Sequence, residues 1–571
     1  MNTVADKLMK LVQTKSDIRQ ALLDKGFNVP DTMPFSGYAD LIRRFPCNAK
    51  DFPDIPGMIA RWSAKGLTNE DMSTNPVWKD LMGNGYDLQM KNFGWAGMSG
   101  VNGYVENFNQ YFVGCDESNK TVSDSSMKLV LLESDSQKVI YDRYSHQIGY
   151  TYNFYIKVTG IEGRTLNVNA GTLGGTIMSI TEDGIYSINA TVSDSWGNNM
   201  LYLIFPPSSS SNTVTIEQLP LYPGALVFDG VDDYGICDNF PILTKEKGYT
   251  VVALRQWLSN KVSSTFVHKG TINSSGAFVF EFIRNNGEED VSSFGKDNVI
   301  DISKSVFSYQ TSNSYNGASI LSGDNADGAI LRVGTGVYAN YTNVAIWEIV
   351  ILDHDATEEE LTKIKDYFVK TYPWLFPDQG WTVTGKTNED EDRATIANIT
   401  GNGNNLVLYN LGFAEGSGYN EEGEYAGYLV TDGVDDSGRA VNVTTEKDFT
   451  LVGEWKLFSD TSNNAGLAIH PQIHIFNRPE SIQIMFRSAG KTLPVKSLKA
   501  ICSDGRCYDK DWNELHINVG NFTNNTGTLF VGSNGGNYTK TAFKNLSLYN
   551  NQIFSKEDCI KAYNYLQTLK S

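Results

Sequence analysis

Trp62-Ser63-Ala64-Lys65-Gly66-Leu67-Thr68-Asn69-Glu70-Asp71 recurs in this chain as Trp381-Thr382-Val383-Thr384-Gly385-Lys386-Thr387-Asn388-Glu389-Asp390. Each copy continues into a Gly-Asn-Gly string, Gly83-Asn84-Gly85 and Gly401-Asn402-Gly403, and then into an asparagine, Asn92 and Asn410. A third string closes the series: Leu226-Val227-Phe228-Asp229-Gly230-Val231-Asp232-Asp233 against Leu429-Val430-Thr431-Asp432-Gly433-Val434-Asp435-Asp436. Spacing is kept as far as the asparagine, which points to tandem duplication. The copies then part: Gly103 to Gly230 spans about 130 residues, against about 15 from Gly418 to Gly433, so a segment of domain size is inserted in the first copy.

At 571 residues the chain is too long for one core. With 52 Gly, 29 Tyr, 28 Phe and only 20% charged residues, the composition favours β structure. A formal charge of -19 argues against nucleic acid and anionic membrane as partners, because phosphate binding needs clustered Lys and Arg. No apolar run is long enough to span a bilayer, and residues 1–7 lack a secretory pattern, so the expected route does not include export. Cysteines at 47, 115, 237, 502, 507 and 559 are too sparse for a disulfide scaffold; Cys502 and Cys507 alone are spaced to close a small ring.

Helical spacing is confined mainly to the amino end, where Leu8, Leu11, Ile18, Leu22, Tyr38 and Leu41 fall on apolar faces of three short helices. Helices this short need something to pack against, which makes them the expected attachment module. Between residues 104 and 221, strands alternate around turns such as Glu182-Asp183-Gly184, the pattern of an antiparallel sandwich. Each repeat ends in a strand and a helix opened by a capping box, Thr357 to Glu360 and Ser555 to Asp558. The expected division is 1–45 helical, 46–103 with 222–376 a first sandwich, 104–221 an inserted, carbohydrate-binding-like sandwich, and 377–571 a second sandwich of the same kind as the first.

The Asp-Gly-Val-Asp-Asp strand, its alternating successors and the final strand–helix resemble the laminin-G/concanavalin-like jelly-roll superfamily. The Trp-to-Asp strings, with the Lys7–Ile42 pattern containing Val29-Pro30 and Tyr38-Ala39-Asp40, resemble virion fibre or appendage proteins of phages infecting Bacteroidales, including crAss-like phages. That resemblance implies a mainly β chain of tandem jelly-roll sandwiches behind a helical virion-attachment module. It also implies assembly in the host cytoplasm into a head or tail fibre, contact with other virion proteins, a homo-oligomer (dimer or trimer), and adhesion to host-surface glycans. On this reading the chain is not an enzyme and has no catalytic residues or resident cofactor. The alternatives are a polysaccharide depolymerase or glycoside hydrolase on the same fold, and a purely structural capsid decoration protein.

Two kinds of site residue follow from the residues themselves. Asp229, Asp232 and Asp233, with Asp432, Asp435 and Asp436, cluster carboxylates of the sort that hold Ca²⁺, or else cap a local Asp-Gly hairpin turn. Trp95, Trp196, Tyr234 and Tyr419 stand in loop-like contexts where an aromatic face could stack on a sugar, or could simply pack in the core. Thr68 to Asp71 and Thr387 to Asp390 read as capped acidic turns, and the Gly-Asn-Gly strings as plain turns.

Overall fold

The protein is described from a computed structural model covering residues 12, 14–16, 18, 19, 29 and 52–569, apart from 172–175, 194–198, 271–276, 325–327, 421–424, 459–464, 479–480, 487–488, 496, 511, 518, 520–522 and 535–536. Of the expected attachment residues, Ile18 is helical and half-buried; Leu8, Leu11, Leu22, Tyr38 and Leu41 lie outside the described residues. The chain is mainly β, built from tandem jelly-roll sandwiches with a smaller sandwich inserted. It divides into two compact units, Met1–Val105 with Tyr222–Lys370, and Glu106–Leu221 with Thr371–Ser571.

In the first unit one eight-stranded sheet centres on Asn343–Leu352, flanked by Thr250–Trp257, Leu226–Asp229 and Met58–Ser63. The second sheet runs from Val77–Trp78 through Leu88–Lys91, Tyr234–Cys237, Leu331–Val333, Ser264–Lys269 and Phe278–Ile283 to Lys296–Val299. The second unit repeats this pattern around Thr541–Asn550, flanked by Phe449–Leu457, Tyr428–Thr431 and Gln379–Thr382. Both central strands carry a bulge at the same place: pairing slips between Leu254 and Arg255 in one copy and between Glu454 and Trp455 in the other. The slip changes which side chains face the core, so Val344 and Ile346 enter it before the bulge and Ile349 and Ile351 after it. Trp62 and Trp381, which open the two repeats, are fully buried and donate their indole N–H to Tyr86 O and Asn404 O.

The helices that close the repeats, Glu358–Thr371 and Lys556–Thr568, begin as their sequences imply: Glu360 N donates to Thr357 Oγ1, and Asp558 N to Ser555 Oγ. Residues 106–221 form two five-stranded antiparallel sheets. Although they interrupt the first repeat in sequence, they belong to the compact unit of the second. There Lys499, 8% exposed, places its ammonium 4.7 Å from the Tyr155 ring centre and 4.3 Å from that of Tyr563, and Asn564 Nδ2 donates to Pro220 O. A cation held between aromatic rings out of water ties the inserted sandwich to the second repeat.

The first unit also buries an ion pair that patterning did not reveal. Glu281 sits at φ 59° in the bulge of strand Phe278–Ile283 and is wholly buried. It accepts hydrogen bonds from Arg255 Nε (2.8 Å), Trp257 Nε1 (2.7 Å), Ser308 Oγ (2.7 Å) and Tyr315 OH (3.0 Å). Removing one member of a buried pair strands the other's charge. Glu281→Ala should therefore destabilise the first unit by about 3–5 kcal/mol. Lys79→Ala, which breaks the solvent-facing pair with Asp87 and no other bond, should cost about 0–1 kcal/mol, and urea denaturation distinguishes the two.

Candidate functional site

The Asp-Gly-Val-Asp-Asp string is not a hairpin, and this corrects the sequence expectation. Leu226–Asp229 lies in one sheet and Tyr234–Cys237 in the facing one, and the same holds for Tyr428–Thr431 and Ser437–Thr445. The string therefore carries the chain over the edge of the sandwich, where its amides leave both hydrogen-bond ladders. Aspartates replace the ladder. Asp229 Oδ1 accepts from Val231 N (2.7 Å), and Asp233 Oδ2 accepts from Asp229 N (3.0 Å). In the second copy Asp432 Oδ1 accepts from Val434 N (2.7 Å), and Asp436 Oδ2 from Asp432 N (2.8 Å). Gly230 and Gly433 adopt φ 76° and 83° at the corner.

A neighbouring loop docks on each corner through the same contacts. Asn92 Nδ2 donates to Asp232 O and Asn410 Nδ2 to Asp435 O, while Gly94 N and Gly412 N donate to Ser99 Oγ and Ser417 Oγ. These loops share a string that alignment on Gly103 obscures: Asn92-Phe93-Gly94-Trp95-Ala96 to Ser99-Gly100 matches Asn410-Leu411-Gly412-Phe413-Ala414 to Ser417-Gly418. Gly100, not Gly103, is therefore the partner of Gly418. Both need glycine, since a Cβ would stand 2.5 Å from Asn69 Oδ1 and from Asn388 Oδ1 respectively.

Trp95 and Phe413 occupy equivalent places at φ 49° and 50°, a left-handed conformation that is strained for a bulky aromatic. Each is half-buried. Trp95 stacks on Phe93 with ring centres 4.7 Å apart, and Arg393 lies 5.1 Å over the Phe413 ring. Each acidic corner also carries an exposed valine, Val231 (68% exposed) or Val434 (73%). Each site thus joins a partly solvated aromatic face, an exposed apolar tip and carboxylates, a surface suited to the mixed polar and C–H character of a sugar ring.

The sequence-selected residues divide as follows. Trp95 belongs to this site, and Tyr234 is half-buried near Tyr341 at 6.2 Å. Tyr419 is corrected: it is 3% exposed and its hydroxyl donates to Arg393 O, so it presents no face to a ligand. Trp196 lies outside the described residues. The six aspartates do converge, each triad with one oxygen per residue within 4.8 Å of the others. Both Asp233 oxygens are taken, one by Asp229 N and one by Ser99 Oγ, so a Ca²⁺ there would have to share atoms that already hold the corner. Cys502 is on the strand next to that of Cys507, yet its thiol bonds to Cys559, and both are unpaired by any disulfide.

A second cluster, unseen in the sequence, lies in the inserted sandwich. Glu106 accepts from Tyr150 OH (2.9 Å) and Tyr111 OH (3.2 Å); Asp142 is 2.6 Å from His146 Nε2 and accepts from Tyr152 OH (3.3 Å). Burial pushes the Glu106 carboxyl up to about 7, against the pull of the Tyr150 hydrogen bond, and nearby Asp142 adds to the rise. Glu106 and Tyr150 are 44 positions apart, with no spacing motif to betray the cluster.

The sequence matches no protein-family model and no curated protein. Among solved structures it overlaps a Trypanosoma rangeli sialidase in complex with sialic acid, at 9% identity over 81% of this chain and 97% of that one, with a TM-score of 0.24. It also overlaps the receptor binding domain of botulinum neurotoxin mosaic serotype C/D, at 11% identity over 58% and 89%, with a TM-score of 0.23. The expectation that the chain is not an enzyme is corrected here, because sialidases stand among the structures it overlaps. Likeness at this level assigns no activity either.

Burial pushes the Asp233 carboxyl up to about 7, with Asp229 adding to the rise. A carboxyl raised in the fold favours the protonated state. Its contribution to stability is complete below the unfolded value near 3.8 and is lost as pH climbs to about 7. Asp233→Asn, neutral throughout, should therefore gain stability relative to wild type between pH 4 and 7 and run parallel to it above pH 7, as read from urea midpoints. A constant difference across that range would show that the carboxyl ionises normally.

Proposed function

We propose that the chain is a subunit of a phage virion appendage, a head or tail fibre, that adheres to host-surface glycans through its sandwich corners. The observation that carries the adhesive part is the twofold construction of one surface: an aromatic residue in a strained conformation, beside an exposed valine and an acidic corner, in both repeats. Core packing alone does not call for a tryptophan or phenylalanine at positive φ, and such strain gathers at binding sites. The virion part is supported by the resemblance of the Lys7–Ile42 strings and the repeats to appendage proteins of Bacteroidales phages. Two weak sites per chain, multiplied by oligomerisation and by many copies per particle, give avidity. The net charge of -19 keeps so repetitive a surface from sticking to anionic polymers.

Full-length protein on a glycan array should bind a subset of bacterial surface glycans. Trp95→Asn and Phe413→Asn retain a residue type that tolerates positive φ while removing the ring. Each should weaken binding by about 2–10-fold, and the double variant should abolish multivalent retention. Silence across host glycans, or equal binding by the double variant, would dismiss the adhesive reading. Oligosaccharide release from the same glycans would make the chain a depolymerase. For the virion part, protein lacking residues 1–45 should fail to join particles; normal incorporation would refute the attachment role.

A further inference from the structure

We propose that Glu106, Asp142 and His146 form a site for one divalent transition-metal ion of the zinc type in the inserted sandwich. One ligand atom from each of the three lies within 4.8 Å of the other two. Ligand atoms on one tetrahedral ion at about 2.0–2.2 Å stand about 3.3–3.5 Å apart, so an ion entering here replaces the 2.6 Å His146–Asp142 hydrogen bond and draws the Glu106 carboxylate inward.

The framework that holds the ligands is fixed. Asp142 ends strand Lys138–Asp142 and pairs across it with Tyr111, and its second oxygen accepts from Tyr144 N (3.0 Å). The Glu106 backbone is latched at both ends by one side chain: Glu106 N donates to Gln218 Oε1 (3.0 Å), and Gln218 Nε2 donates to Glu106 O (2.9 Å). The His146 ring lies flat on Tyr150, with ring centres 3.8 Å apart, and is 23% exposed, which leaves an approach from solvent. Hydroxyls of Tyr111, Tyr150 and Tyr152 bond the carboxylates from behind, the role that outer partners play around metal ligands.

Charge supplies the second, independent argument. Glu106 is 6% exposed and Asp142 3%, yet among the described residues no lysine or arginine forms an ion pair with either. Two other buried carboxylates of the chain are matched by cations, Glu281 by Arg255 and Glu348 by Arg61, whereas Asp233 is held by hydrogen bonds alone. When both carboxylates are ionised, a dication over a neutral imidazole offsets their charge, and binding it would displace the proton that burial favours on Glu106. An imidazole nitrogen in a set of three suits zinc and its neighbours rather than calcium, which takes six to eight oxygens. This inference is independent of the glycan sites, whose corner aspartates differ in fold position and chemistry.

Full-length protein stripped with chelator, incubated with Zn²⁺ and gel-filtered should retain one zinc per chain by mass spectrometry of the metal. His146→Gln, at the accessible rim, should weaken zinc binding at least tenfold while leaving the circular dichroism spectrum unchanged, and Glu106→Gln should do the same. The double variant Asp229→Asn/Asp432→Asn should retain zinc like wild type. Should Glu106→Gln fail to fold, His146→Gln decides alone. No retained zinc would overturn the proposal, as would retention unaffected by His146→Gln, which places the ion on thiols or other histidines, or preference for Ca²⁺ over Zn²⁺.

Discussion

A strand that leaves one sheet for the sheet facing it must pass through a stretch where its amides belong to no ladder. An unpaired amide costs about 1–3 kcal/mol wherever water cannot reach it. In both repeats that cost is met by the same two side chains, Asp229 with Asp233 and Asp432 with Asp436, folded back on their own backbone. Once the corner is fixed, the Asn92 and Asn410 amides can dock the adjacent loop on it, and that loop holds its aromatic residue in a conformation it would not choose. The site is thus a consequence of how the sheets are joined. It follows the corner wherever the corner is copied.

Much of this was legible in the sequence because duplication writes local constraints twice. The buried tryptophans, the capping boxes and the antiparallel sandwich pattern follow from periodicity and from residues that bond within a few positions. The corner misread as a hairpin shows the limit of that reading. Asp-Gly between apolar strands signals a change of direction, but only tertiary pairing decides whether the strands stay in one sheet. The shared loop string is equally plain in the letters, but pairing Gly418 with Gly103, three residues beyond the glycine whose Cβ is forbidden, hides it.

Long-range polar arrangements left no trace of that kind. Arg255 and Glu281 are 26 residues apart, Arg61 and Glu348 287, and each reads alone as an ordinary surface charge. Lys499 between Tyr155 and Tyr563 is the same lesson at the scale of domains. An insertion is placed in the chain by its gene but in the fold by whichever surface buries it, so the segment interrupting the first repeat became part of the second unit.

The two copies then separate what the fold requires from what is free to vary. The aspartates, the asparagine, the serine and the glycine with the forbidden Cβ are kept in identity, because each makes a backbone contact that no other side chain makes with that length and polarity. The aromatic position keeps only its class, Trp95 in one copy and Phe413 in the other, and its surroundings change from the stacked Phe93 to the cation of Arg393. The exchange is matched by the neighbours: Phe413 stacks on Tyr419, with ring centres 6.3 Å apart, where Trp95 stacks on Phe93, and both rings pack against the core of their own repeat. On the proposed adhesive reading, a position that keeps an aromatic face while altering its size and electrostatic setting fits related but different ligands.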